Sequence, residues 1–293
     1  VYAHYTDKNT TKIDIDLEDF TPIGLKGDFL YMAETSGIGS HGLSVLNLKN
    51  KKIQSIIPDD CHSVLNAMNS LNNPIPYAAG MECDGKKEII YFDQNNRDAQ
   101  ILSQLAPSFP DKTITLGNWT DSNDRALLTI EDSSVVQEVF LLDLKQGSLK
   151  PIGRTSNVPK DRLHKMVSKK FTTRDGESIY GYLTKPKGKV ERLIVYIHGG
   201  PYGIRDFDSY DFSEQYLASK GAAVLKVNYR GSGGYGTNFM EDAYKEWGGR
   251  LLNDIADATQ AVQKELGIGR EQTCAFGASY GGYAALALSL IHI

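Results

Sequence analysis

A change of pattern near residues 155–165 constrains this chain more than any other feature. Before it, short alternating runs are separated by polar turns; after it, apolar runs alternate with helical ones. In the first part "FLYMAE", "GLSVLNL", "KEIIYFD", "RALLTIED" and "QEVFLLDLK" read as strands. They also repeat. "HGLSVLNLKNKKIQSII" aligns with "QEVFLLDLKQGSLKPIG", which sets Asn47 opposite Asp143, and "KEIIYFDQNN" falls between them with Asp93 at the same place. The steps are 46 and 50 residues, close to the roughly 40–50 residues of a four-stranded propeller blade. Residues 1–155 are therefore expected to form part of a β-propeller, with a β-sandwich as the alternative. The stretch "RDAQILSQLAPSFP" reads as a helix that interrupts the blades and ends at a proline.

The second part, 156–293, follows another rule. "SKKFTTRDGESIYGYLTKPKG" reads as two strands around an Asp175-Gly176 turn. "RLIVYIHGG" and "AAVLKVNY" are apolar runs of the kind found in strands buried on both faces. "DFSEQYLASKG" is a short helix stopped by Gly221. Leu251, Ile255, Ala258, Val262 and Leu266 lie on one face of a longer helix, and Gly267 stands where a helix-ending glycine belongs. "TCAFGAS" supplies a third strand. Strands alternating with helices imply a doubly wound, mostly parallel sheet. The fold class expected for the whole chain is all-β followed by α/β.

Composition adds exclusions. A hydrophobic share of 41% and a charged share of 23% are ordinary for a globular protein. A net charge of −4 without a basic run argues against a nucleic-acid partner, and no apolar stretch is long enough to span a membrane. The first residues show no signal peptide and no initiator Met. Cys61, Cys83 and Cys274 are too widely spaced for a metal motif or a disulfide framework, and are expected as buried small hydrophobes. No metal or other cofactor is expected. Assembly state and compartment are not legible.

Three stretches could carry chemistry. Gly277-Ala278-Ser279-Tyr280-Gly281 matches G-x-S-x-G, and it sits between a strand, "TCAF", and a helix, "GYAALALSL". In that context Ser279 is the candidate nucleophile and the glycines let strand and helix approach. His198-Gly199-Gly200-Pro201 also follows a strand. A tetrahedral intermediate needs backbone N–H donors unobstructed by side chains, and the N–H groups of Gly200 and Tyr280 are the candidates for this oxyanion hole. His198 is tempting as a base, but a histidine at this place is expected to pack or hydrogen-bond instead. Third, "GSGGYG" at 231–236 matches a dinucleotide fingerprint, with Asp254 near the required distance. Tyr229 and Arg230 separate those glycines from the strand, and no helix is expected directly after them, so the nucleotide reading is set aside.

In order, "TTRDGESIYGYLTKPKG", "YIHGGPYGIRD", "VNYRGSGGYGTNF", "EWGG" and "GASYGGYAA" resemble the catalytic domain of the prolyl oligopeptidase family of serine peptidases, in the acylaminoacyl-peptidase and dipeptidyl-peptidase branch. The resemblance implies a β-propeller before an α/β-hydrolase domain, with the propeller admitting only short peptides. It also implies Ser279 as nucleophile and Gly200 and Tyr280 as oxyanion donors. The family's acid and base lie well beyond the nucleophile. Here no Asp or Glu follows Ser279, and the one later histidine, His292, stands too close after it to serve. The chain is thus expected to be a truncated piece, inactive alone, whose last residues "LSLIHI" need not be native. An esterase of the same fold and a non-catalytic propeller binding module are the alternatives.

Overall fold

The structure, a computed structural model, describes residues 2–4, 10–12, 20–34, 42–57, 63–70, 73, 75–83, 86–110 and 112–291. Cys61 and His292 lie outside the described residues. The chain divides into two compact units, Val1–Ala99 with Gly234–Glu241, and Gln100–Gly233 with Asp242–Ile293.

In the first unit β1 (Tyr2–His4) pairs antiparallel with β2 (Thr10–Lys12). Then β3 (Phe20–Lys26), β4 (Phe29–Glu34), β5 (Leu43–Asn47) and β6 (Lys52–Ile57) form an antiparallel meander in chain order. A second meander is built from β7 (Ser63–Asn69), β8 (Pro76–Cys83) and β9 (Lys86–Tyr91). Leu43 and Ile57 of one meander share a buried cluster with Ala79 and Met81 of the other. Each sheet thus covers an apolar face that it could not bury alone. The helix α1 (Arg97–Leu105) starts where the Asn96 Oδ1 accepts the N–H groups of Asp98 at 2.8 Å and Ala99 at 3.2 Å. It gives way to a 3₁₀ turn, Ala106–Ser108, at Pro107.

The second unit opens with another antiparallel meander, β10 (Thr113–Trp119), β11 (Arg125–Asp132), β12 (Val135–Asp143) and β13 (Ser148–Arg154). The aligned residues Asn47, Asp93 and Asp143 stand at or just past the end of the third strand of their respective meanders. Each side chain caps the turn that follows. Asn47 Oδ1 accepts Lys49 N at 3.0 Å, Asp93 Oδ1 accepts Asn95 N at 3.1 Å, and Asp143 Oδ1 accepts Gln146 N at 2.9 Å. The side-chain oxygen stands in for a backbone acceptor, which is why Asn or Asp is required at that step. β5 and β12 lie in different sheets.

The pattern changes between β13 and the next strand. β14 (Met166–Thr172), β15 (Ser178–Thr184), β16 (Arg192–Ile197), β17 (Ala222–Asn228) and β18 (Thr273–Gly277) form one sheet in the order β14-β15-β17-β16-β18. Its helices are α2 (Phe212–Ser219), α4 (Arg250–Leu266) and α5 (Tyr280–Ile291), while α3 (Thr237–Glu241) belongs to the first unit. The sheet is evenly mixed, not mostly parallel: β16 pairs parallel with β17 and β18, but the β14–β15 hairpin joins β17 antiparallel. β17 is buried along its whole length, as expected. β16 is not; it begins with an exposed Arg192 and then alternates buried and half-buried residues. α4 buries Leu251, Ile255, Ala258 and Val262 and ends at Gly267, whose φ of 65° lies in the left-handed region.

Cys274 is exposed, against the expectation of a buried cysteine. It sits on β18, an edge strand whose central residues face solvent. The Cys83 side chain lies outside the described residues.

One carboxamide ties the last meander to the mixed sheet. Gln215 on α2 donates from Nε2 to Ser133 O at 3.0 Å and His164 O at 2.8 Å, and its Oε1 accepts His164 N at 2.8 Å. The group is buried, and both of its donor hydrogens and its acceptor are used.

Candidate active site

β16 and β18 are parallel neighbours, with Ile197 opposite Gly277 at their C-terminal ends. The loops that leave these ends therefore begin side by side, at the end of a parallel sheet where sites are built. After β18 the chain turns within two residues into α5, and Ser279 sits in the turn, exposed. Its φ is 56°, the left-handed region, which costs a side-chain-bearing residue about 1–2 kcal/mol. The glycines around it explain how so sharp a turn packs. A Cβ on Gly277 would lie 2.6 Å from Ile197 O, and one on Gly281 would lie 2.1 Å from that same oxygen. Any side chain at either place would push α5 away from β16.

The second predicted loop lies across from Ser279. A Cβ on Gly199 would meet Ser279 Cβ at 3.4 Å and its Oγ at 3.9 Å. Gly200, with φ at 121°, follows. Tyr280 begins α5 and is buried; its hydroxyl donates to Trp247 O at 2.9 Å. Burial raises the Tyr280 phenol far above its ordinary range. Trp247 in turn donates from Nε1 to the Tyr202 hydroxyl at 2.9 Å. Tyr202, Trp247, Tyr280 and Tyr283 form a connected aromatic group beside the turn. Sequence reasoning assigned no role to Tyr202 or Trp247, although "EWGG" carried part of the resemblance.

The His198 ring makes its hydrogen bonds away from Ser279. Its Nδ1 lies 2.8 Å from Gly199 O, its Nε2 lies 3.0 Å from Ser232 Oγ, and its ring stacks on Tyr229 at 4.3 Å with 15° between the planes. Burial lowers its pKa to about 4, so the ring is neutral at pH 7; Arg205 nearby acts in the same direction, and the bond to Gly199 partly opposes them. Among the described residues, no histidine or carboxylate hydrogen-bonds the Ser279 hydroxyl.

The 231–236 glycines stand apart from this chemistry. The Asp254 carboxylate is fully buried and taken up by Arg230, accepting from its N at 2.9 Å, its Nε at 2.9 Å and its Nη2 at 2.6 Å. Arg230 also donates from Nη1 to Asp175 at 2.6 Å. An aspartate already bound in this way has no free oxygen pair for a ribose. One expectation here is corrected: α3 follows Gly236 directly, although with only five residues. Turn-prone glycines had obscured so short a helix. No group of three or more metal-ligating side chains occurs among the described residues, and no helix among them is long and apolar enough to cross a membrane.

A serine held in a left-handed turn between a parallel strand and a helix defines the α/β-hydrolase class. Residues 208–291 match the profile of the prolyl oligopeptidase family. Dipeptidyl aminopeptidase BIII of Pseudoxanthomonas mexicana is 38% identical over 126 residues, which is 40% of this chain and 18% of that protein. Dipeptidyl peptidase family member 6 of Caenorhabditis elegans is 37% identical over 206 residues, 69% of this chain and 24% of that one. Among solved structures, a puromycin-hydrolyzing peptidase of Mycobacterium tuberculosis superposes with a TM-score of 0.64 at 21% identity, over 92% of this chain and 42% of that one. The chain thus spans about a quarter or less of the length of these two curated relatives.

Proposed function

We propose that the full-length protein is a serine peptidase acting on short peptides, with Ser279 as nucleophile and the N–H groups of Gly200 and Tyr280 as oxyanion donors. The observation that carries this reading is Ser279 itself, strained at φ 56° in the turn from β18 to α5 and facing the Gly199 backbone. Strain of this kind persists where the surroundings over-determine it, as they do at reactive sites. Residues 1–155 form part of a β-propeller that limits substrate size, and residues 156–293 form the peptidase domain. The successive meanders, their shared turn-capping step and the packing of the first against the second support the propeller. The triad's acid and base come from outside these 293 residues. Without a base Ser279 stays a neutral hydroxyl, so residues 1–293 alone are inactive.

The test compares aminoacyl-arylamide with short acyl-ester substrates in the full-length protein. Arylamide turnover abolished by Ser279→Ala is the expected result. Ester turnover alone would make the protein an esterase, and neither would leave a binding module. A serine-directed phosphonate should label Ser279 in residues 1–293 about 10⁴–10⁶ times more slowly than in the full-length protein. Equal rates would place a base within this chain.

A further inference from the structure

The glycine turn after β17 stands apart from the catalytic groups, yet its first half lies against the segment that follows Gly200. Gly203 N donates to Gly231 O at 2.9 Å, and Gly233 N donates to Ile204 O at 3.1 Å. The two segments approach so closely that a Cβ on Gly233 would lie 2.5 Å from Gly203 O. Two residues further on, a second anchor takes over. Asp206 N donates to Asn228 Oδ1 at 2.8 Å, and Asn228 Nδ2 donates to Asp206 O at 3.1 Å. Asn228 is fully buried at the end of β17. Arg205, also buried, donates from Nε to Asp206 O at 3.2 Å. Backbone bonds thus fix the chain at Ile204 and on both sides of it.

The Ile204 side chain is 51% exposed, and it leans on Gly200. A Cβ built on Gly200 would meet both Cβ and Cγ1 of Ile204 at 3.4 Å. An isoleucine branched at Cβ has few rotamers, so on a pinned backbone it makes a stiff apolar wall. An oxyanion held by the Gly200 N–H lies about 3 Å from that nitrogen, and the groups flanking its carbon are carried in beside it. Covering the exposed wall with an apolar substrate group is favourable. A charged group set there would lose water without gaining a partner. We propose that Ile204 is a specificity-determining residue: braced by the Gly231–Gly233 turn, it forms an apolar wall beside the oxyanion position and selects apolar substrate side chains next to the cleaved bond. The inference rests on the peptidase reading given above, in which Gly200 is an oxyanion donor.

In the full-length protein two substrate series separate the two flanks of the cleaved bond. Aminoacyl-arylamides vary the residue on the acyl side. Short free peptides, read by mass spectrometry, vary the residue on the leaving side. The unsubstituted protein is expected to prefer leucine over glutamate and lysine in one series. Ile204→Ala should reduce that preference, taken as a ratio of kcat/KM values, about 5–20-fold, and Ile204→Val about two- to fourfold. Ile204→Asp should turn the preference towards lysine. Gly233→Ala keeps Ile204 but displaces its support, and should weaken the same preference. Tyr216→Ala, at an exposed aromatic residue on α2, should leave the ratio unchanged. Unchanged ratios in both series for the Ile204 variants, or an even loss across all substrates, would overturn the proposal. An unchanged ratio in Gly233→Ala would overturn the bracing by the turn. If Ile204→Ala failed to fold, Ile204→Val, one methyl smaller at a half-exposed place, would still decide. Absence of Ser279-dependent turnover in the unsubstituted protein would remove the peptidase reading and this inference with it, whereas turnover with unchanged ratios would remove the inference alone.

Discussion

Two glycine-rich turns leave the mixed sheet, one after β17 and one after β18, and both match a motif. After β17 the left-handed positions are all glycines, Gly231 at φ 96°, Gly234 at 81° and Gly236 at 90°. After β18 the left-handed position is a serine, and the glycines flank it at places where a Cβ would strike backbone. The first turn relieves strain and the second stores it. Glycine spacing alone does not separate the two turns; the residue forced into the costly conformation does.

The largest expected effect comes from crowding the second turn. Gly281→Ala would set a Cβ 2.1 Å from Ile197 O, where two backbones meet and neither can yield. It should cost about 4 kcal/mol, read from denaturant midpoints. Gly233→Ala in the first turn meets Gly203 O at 2.5 Å, between two loops. There the loops can give, and about 2–3 kcal/mol is expected. Equal costs at the two positions would break the comparison.

A third effect tests the neighbourhood of the second turn. His198 is held near pKa 4 by burial, against 6.5 when free. The folded state therefore prefers the neutral ring. Its contribution is fully present above about pH 6.5 and is lost as pH falls towards 4. Between pH 7 and pH 4.5 the unsubstituted chain should lose about 2 kcal/mol more than His198→Asn does. Parallel losses would mean that His198 is not buried neutral.

The smallest effect has the opposite sign. Ser279→Gly should stabilise the chain by about 0.5–1 kcal/mol by relieving the left-handed strain, and Ser279→Ala should not. If both variants match the unsubstituted chain, the turn stores no strain.

Much of this was legible in the residues. The step of Asn47, Asp93 and Asp143 marked equivalent strand ends because one side chain performs one local task at each, capping a turn. β17, α4 and Gly267 were readable because their pattern is periodic or local. The candidate site could be named in part: Ser279, Gly200 and Tyr280 come from contiguous motifs. Tyr229, Ser232 and Trp247 were not assigned, since their roles arise from contacts across 31 to 45 residues of sequence. The exposure of Cys274 and the mixed pairing of the sheet were missed for a similar reason. Both depend on which strand becomes an edge, and no local pattern encodes that.

Gln215 bears on how the chain could be divided. The strand grammar places a seam at 155/156, but the Gln215 carboxamide crosses it, holding Ser133 on one side and His164 on the other. A polypeptide begun at residue 156 would keep Gln215 and lose Ser133, stranding a polar hydrogen at what had been a buried junction. The meander of β10–β13 and the mixed sheet should then open together, with the amides of His164 and Met166 exchanging in step with those of β11 and β12. For dissection by proteolysis or by design, the cooperative piece begins nearer residue 100 than residue 156.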